Sequence, residues 1–297
     1  MPRKTPTAVL CMAYGSPRDE AGVEAYYTHI RGGRPPSPEA LAELRGRYRA
    51  IGASPLEKIT RAQAEALGQR LEMPAFVGMK HAPPFIEEAV AEARAAGIKR
   101  IVGLPLAPHF AQMSVGGYER ALRAAWDGEL VFVPGFHDHP SFTAALRGLL
   151  SESLAFYRPD RLFFTAHSLP ARIVAEGDDY PGRLLRSARL LEDRMDLPPW
   201  EVAFQSASAT GEPWLGPDLL EAIEKSGARK VLVCPVGFVA DHLEILYDLD
   251  VEAQAWAKQH RVELRRTPSF NDRSRFIDAL AAVVRDALAL QPVPHRR

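Results

Sequence analysis

Short apolar runs alternate with longer stretches in which apolar side chains recur every three or four positions, along almost the whole chain. A parallel strand covered on both faces reads as a continuous hydrophobic run, and the helix that returns the chain reads with a period of about 3.6 residues. The runs predict strands at Thr7–Met12, Ala75–Lys80, Arg100–Leu104 and Leu130–Pro134, then at Arg161–Ala166, Glu201–Gln205, Lys230–Pro235 and Val262–Arg266. Helical periodicity covers Pro38–Arg49, Glu57–Leu71, Pro84–Ala96, Tyr118–Trp126, Ser141–Tyr157, Gly182–Arg194, Gly216–Ser226, Leu243–Gln259 and Arg273–Leu290. Four strands thus occur twice, and IVGLPLAPHF in the first set is echoed by VLVCPVGFVADH in the second. The expectation is an α/β protein of two similar domains, 1–157 and 158–297, divided at the turn near Tyr157–Arg161. Ligands of such proteins sit between the domains, beyond the carboxyl ends of the strands.

Composition narrows the partners. Among 297 residues, 46% are hydrophobic and 25% charged, as in an ordinary globular protein. Lys+Arg and Asp+Glu both number 37, so no global basic field exists to attract nucleic acid or an anionic membrane. A small-molecule partner is therefore expected. Cys11 and Cys234 each lie in a hydrophobic run, which predicts buried thiols and neither a disulfide framework nor a cysteine-held cluster. The opening MPRKTPTAVLCMAYGS does not read as a secretory signal, and no run approaches the roughly 20 apolar residues of a membrane helix. A cytoplasmic, monomeric protein without membrane insertion is expected. The motifs G-x-G-x-x-G after a strand, G-x-x-x-x-G-K-[ST], G-x-S-x-G, H-E-x-x-H and C-x-x-C are all absent. Dinucleotide, nucleoside-triphosphate, serine-hydrolase, zinc-protease and thiol-redox chemistry lose their usual marks.

Candidate chemistry collects at the ends of strands. His167 follows the run RLFFTA, and Pro170 stops that strand three residues later. With an ordinary pKa near 6.5, the imidazole would be largely neutral at pH 7 and able to bind a metal or accept a proton. A histidine merely bonded to a nearby turn is the plainer alternative. In GFVADHLEILYDLDVEAQAW, a continuous helix from about Asp241 would align Glu244, Asp248 and Glu252 as an acidic line about 12 Å long. Hard oxygen ligands in such a line suit weakly held divalent cations. Asp241 with Glu244 also fits a capping box, and the other two acids fit a solvated face. Facing each other across a cleft, His167 and Glu244 would offer one nitrogen and one oxygen, a deliberately weak metal site.

Arg31, Arg47 and Ser54 form a candidate anion-binding set, because the planar guanidinium fork suits carboxylates. Tyr14 leaves the first strand beside Gly15, so its phenol could face the cleft and reach a bound metal. His81 and His109 also end strands and are candidates of second rank, as is Trp214 for the cleft wall. His29, His137, His139, His242, His260 and His295 read most simply as surface or structural histidines, the last of them outside the residues that the structure describes.

Taken together, VLCMAYGSP, YYTHIRGGRPP, RYRAIGASPL, MKHAPPFIEEAV, LAPHF, TAHSLP, PWLGPD and VGFVADHLEILYDLD resemble the ferrochelatase family, in order and through nearly the whole chain. The resemblance implies two Rossmann-like domains around a porphyrin cleft, and a lyase that inserts Fe2+ into the porphyrin. It implies that His167 and Glu244 are the pair next to iron, and that Asp248 and Glu252 form an outer cation site. It also implies that Tyr14, Arg31, Arg47, Tyr48, Ser54 and Tyr118 contact porphyrin. The tyrosine of the MAYG block is similar to the branch that uses coproporphyrin III, in which it can ligate the product iron. On this reading Fe2+ is a substrate, no cofactor is permanently bound, and Mg2+ or another divalent cation is admitted at the outer acidic site. A downstream enzyme of haem biosynthesis would receive the product. Insertion into protoporphyrin IX, a cobalt or nickel tetrapyrrole chelatase, and a haem-binding protein without turnover remain as alternatives. SASATGEPWLGPD departs from the family pattern after its glycine, which leaves that loop without an assigned role.

Overall fold

The computed structural model describes residues 5–208 and 210–290. In chain order the elements are β1 (Thr7–Ala13), α1 (Val23–Ile30), α2 (Pro38–Ile51), α3 (Leu56–Leu71), β2 (Ala75–Met79), α4 (Ile86–Ala95), β3 (Arg100–Pro105), α5 (Val115–Ala125), β4 (Glu129–Phe132) and α6 (Pro140–Phe156). There follow β5 (Arg161–His167), α7 (Arg172–Ala175), α8 (Tyr180–Glu192), β6 (Trp200–Gln205), α9 (Leu219–Ser226), β7 (Lys230–Cys234), α10 (Leu243–Leu246), a π-helical turn (Asp248–Ala253), α11 (Gln254–His260), β8 (Glu263–Arg266) and α12 (Ser274–Ala289). All eight expected strands are present. The sequence reading missed α1 and the short α7, because neither carries a long apolar stripe.

Each sheet is four-stranded and parallel, ordered β2-β1-β3-β4 in the first and β6-β5-β7-β8 in the second. One topology is therefore used twice. In both sheets the chain leaves the first strand towards one edge and returns on its other side, so β1 beside β3 and β5 beside β7 are switch points. Tyr14 directly follows β1, and His167 closes β5.

A continuous hydrophobic cluster runs from Val9 and Leu104 through Phe142 and Phe164 to Phe276. The last helix, α12, packs against α3 and α6. Phe142 meets Phe136, Phe270 and Phe276 with ring centroids 5.1, 5.7 and 6.4 Å away, so aromatic side chains far apart in sequence share one interior. Cys11 and Cys234 are buried free thiols, as expected.

The expected helix over Leu243–Gln259 is broken. Tyr247 accepts from Val251 N at 3.0 Å and from Glu252 N at 2.9 Å, the wider closure that defines the π turn. Its cause lies in side chains: Asp250 takes two hydrogen bonds from Arg266 of β8, each 2.7 Å, while Leu249 and Ala253 stay in the core. Asp241 is not a cap. Its carboxylate accepts from Ser269 (2.7 Å), Asn271 (2.8 Å) and Arg266 (3.3 Å), and the extended residue before α10 is His242.

Candidate active site

Two close backbone approaches assemble the site. Gly237 donates to Thr165 O at 3.0 Å, and a Cβ there would lie 2.5 Å from Ala166 Cβ, so only glycine lets the loop after β7 lie against the end of β5. Gly15 turns at a φ of +96° with Ala82 packed on its open face, which brings the end of β1 against the end of β2. There His81 N donates to Tyr14 O at 2.9 Å.

The first approach brings α10 to His167. Nδ1 of His167 lies 2.9 Å from Oε2 of Glu244, and both side chains are about one-third exposed. The two are hydrogen-bonded on the same wall, not opposed across a cleft. Gln205 accepts from Thr165 Oγ1 at 2.9 Å and donates to the Glu244 carbonyl at 3.0 Å, which ties α10 to β5 and β6. Tyr180 donates to the His167 carbonyl at 3.0 Å, and the edge of Trp214 meets the His167 ring with centroids 6.2 Å apart. With Nδ1 turned to the carboxylate, Nε2 is the ring atom left to meet a ligand.

His242, which the sequence reading set aside, belongs to this group. Its Nδ1 bonds to Ala240 O at 2.9 Å, and its Nε2 is 3.8 Å from Glu244 Oε2. Its place within the same ADHLE block was the available signal. Burial disfavours the charged forms here, but the mutual attraction outweighs it: His167 and His242 are raised above the usual imidazole value, and Glu244 is held well below the usual carboxylate range. The contact thus biases the His167 imidazole towards its protonated form and Glu244 towards the carboxylate.

Asp248 is buried, accepts a short hydrogen bond from Ser206, and is raised to about 6 by burial and by the charge of Glu244. Glu252 is exposed within the π turn. The acids are therefore electrostatically linked but do not form the straight helical line that was expected. Among the described residues no group of three or more His, Cys, Asp or Glu side chains is gathered as a metal site.

The facing wall comes from the first sheet. Tyr14 is 41% exposed, and its phenol is raised by burial and by the negative charge of Glu244. Burial raises Tyr48 and Tyr118 as well, with a smaller contribution from the same carboxylate. Tyr48 meets Tyr26 edge-on at 6.4 Å, and Tyr26 donates to Gly15 O at 3.1 Å. Lys80 Nζ sits 5.7 Å from the centre of the Tyr118 ring. Tyr26 and Lys80 were missed because neither stands out from its neighbours in sequence.

The expected arginine set is dispersed. Arg47 bonds Glu43 at 2.7 Å, lies 3.9 Å from Asp248 and covers the Tyr247 ring at 5.2 Å, so it joins α2 to the π turn. Arg31 is exposed at the end of α1 over Tyr27. Ser54 instead lines a 360 Å³ pocket with Ser16, Arg18, Lys58 and Arg61. His81 packs on Tyr14 with ring centroids 4.6 Å apart. His109 is buried and bonded to Ser187 at 2.9 Å, an interior position and not one on the cleft wall.

A sequence model of the family described as ferrochelatase matches residues 6–288. This chain belongs to the ferrochelatase family. A ferrochelatase of Herpetosiphon aurantiacus is 40% identical over 94% of this chain and 98% of that protein. The coproporphyrin III ferrochelatases of Bacillus subtilis and Geobacillus kaustophilus are 40% and 41% identical, over 93% and 96% of this chain and 96% of each of those proteins. Among solved structures, SirB from Bacillus subtilis with Fe3+ aligns over 96% of both chains, with a TM-score of 0.62 at 14% identity, a likeness of fold. As a ferrochelatase the chain is a metal-chelating lyase whose substrates are a porphyrin and iron, and the two-walled site fits that role.

Proposed function

We propose that the chain inserts Fe2+ into coproporphyrin III to give coproheme. The observation that carries this reading is the position of Tyr14, exposed at the end of β1 and within the field of Glu244 on the other wall. A flat macrocycle lying between them would meet the phenol on one face and His167 with Glu244 on the other. Close relatives bearing the name coproporphyrin III ferrochelatase support the choice of porphyrin.

On this reading His167 starts protonated. Fe2+ must displace that proton to use Nε2, while Glu244 supplies an oxygen and offsets the metal's charge. Two protein ligands hold iron weakly, so four pyrrole nitrogens can take it from them. As the metal enters, two pyrrole protons leave, and the emptied His167 Nε2 is a base for one of them. Asp248 and Glu252 are the outer cation site on the way in, open to Mg2+ or another divalent cation. Arg31, Arg47 and Ser54 are proposed to meet propionates, with Arg47 leaving Glu43 to do so. The division at 1–157 and 158–297, a cytoplasmic location and a downstream haem-pathway acceptor belong to the same reading. Among the described residues, no helix is long and apolar enough to cross a membrane.

Anaerobic assays with Fe2+, following the collapse of the free-base absorption bands, test the proposal with coproporphyrin III and protoporphyrin IX side by side. Coproporphyrin III has two more propionates, and a hydrogen bond to a charged group contributes about 1.5–3 kcal/mol. Its kcat/KM should exceed that of protoporphyrin IX by about tenfold or more. A preference for protoporphyrin would overturn the choice of porphyrin, and no acceleration with either would overturn the activity.

A further inference from the structure

His81 and His29 are joined by their Nδ1 atoms, 3.0 Å apart. Such a bond forms only when one Nδ1 carries a proton and the other a lone pair. The rings then have opposite tautomers, and their Nε2 atoms differ in the same way: one holds a proton and the other accepts one. Among the described residues neither Nε2 has a protein partner. The ring planes are fixed, since His81 packs on Tyr14 at 4.6 Å and His29 stacks on Phe85 at 5.2 Å and 28°. The pair also spans from inside to outside. His81 is half-buried beside the cleft tyrosine, whereas His29 is exposed and lines an open 750 Å³ hollow with Glu24, Thr28 and Gly32.

We propose that His81 and His29 form a proton relay that carries one of the two pyrrole protons from the Tyr14 face of the porphyrin to solvent. The inference rests on the porphyrin lying between Tyr14 and His167, as set out above. In the receiving state His81 donates its Nδ1 proton to His29, and its Nε2 is free. A pyrrole N–H bond breaks, its electron pair stays on the macrocycle nitrogen, and the proton goes to His81 Nε2. The His81 Nδ1 proton passes to His29 Nδ1, and the His29 Nε2 proton leaves to water. One proton enters, one leaves, and both rings end neutral. When product departs, both Nε2 atoms exchange with water and the starting tautomers return. The other pyrrole proton goes to His167. Burial, Lys80 and His29 keep His81 neutral, with its pKa lowered to about 4, which suits a group that passes a proton on without retaining it. His29 is a positioning residue in this scheme, since it acts through His81.

The test uses His29→Ala and His29→Gln in the full chain, with Zn2+ or Fe2+ insertion measured at saturating substrates. Each variant should lose about tenfold in kcat, a fraction of the usual acid–base effect because water can partly replace the outer ring. KM for the metal and porphyrin affinity, read by fluorescence quenching, should not change. Added imidazole should restore His29→Ala, and the double variant with His81→Ala should be no slower than His81→Ala alone. A wild-type kcat in His29→Ala, or a loss that imidazole does not restore, would overturn the relay while leaving the proposed reaction intact. Absence of turnover in the wild-type protein would end the reaction and the relay together.

Discussion

Nδ1 of His167 and Oε2 of Glu244 lie 2.9 Å apart although 77 positions separate them in the chain. Their contact raises the imidazole, lowers the carboxylate and leaves Nε2 pointing away from the bond. A proton on that imidazole therefore competes with any incoming metal.

The first prediction follows from that competition. Below the raised pKa of His167, metal binding must release a proton, so affinity for Zn2+ should rise by up to about tenfold per pH unit and level off above it. Calorimetric titrations in buffers of different ionisation enthalpy count the protons released. Glu244→Gln should lower the pKa of His167 and move the plateau to lower pH, whereas affinity independent of pH would refute the ion pair. His167→Ala should lose about a hundredfold or more in turnover while still binding porphyrin.

Glu244 and Glu252 should separate kinetically. Glu244 touches His167, but Glu252 is exposed near the end of the π turn. Glu244→Gln is expected to depress kcat even at saturating metal, and Glu252→Gln to raise the metal concentration for half-maximal rate with little effect on kcat. A rate titration with Fe2+ for each variant decides the matter. If both changed only the metal requirement, Glu244 would belong to the supply route.

Acid should weaken the fold through His109 and His137. Burial and the nearby Arg183 lower both in the folded protein, the His137 ring lowers His109 further, and among the described residues their ring nitrogens include three buried atoms without a partner. The unfolded chain binds protons at these positions near pH 6.5 and the folded chain does not, so stability is full above that value and falls as pH drops below it. Tm measured from pH 7.5 to 4.5 should fall less steeply in His109→Gln than in wild type. Parallel slopes would locate the acid sensitivity elsewhere.

Arg266 should hold the π turn in place. Its guanidinium is largely buried and joins Asp250 and Asp241. Arg266→Ala leaves both carboxylates without their cation and should cost about 2 kcal/mol or more, a fall of several degrees in Tm. Loss of turnover should exceed loss of folded protein, because Asp248 and Glu244 hang from the same segment. Calorimetry beside a rate assay measures both.

Much of this was legible in the sequence. Every strand could be read because a parallel strand buried on both faces is apolar without interruption. His167 could be placed because it closes such a strand, and Glu244 because it shares a block with the loop after β7. The π turn was invisible, since Arg266 of β8 donates to Asp250 from elsewhere in the fold and no local propensity marks the turn. The contact of His242 with Glu244 and the bond between His29 and His81 were not legible for a related reason: what a histidine's ring nitrogens meet is not carried by spacing along the chain. Arg47 was read as a candidate anion binder, and its contacts with Glu43, Asp248 and Tyr247 could not be read from the sequence.

The repeated sheet order has a consequence for how such an enzyme can change. Tyr14 and His167 occupy the same corner of two separately hydrogen-bonded ladders, one following β1 and the other closing β5. On the proposed reading, a substitution that reshapes the turn after β1 would alter which macrocycle is welcomed without shifting the register that holds His167. Selectivity for the organic partner and handling of the ion would then drift independently, and each could be redesigned by grafting one turn while its counterpart stays fixed.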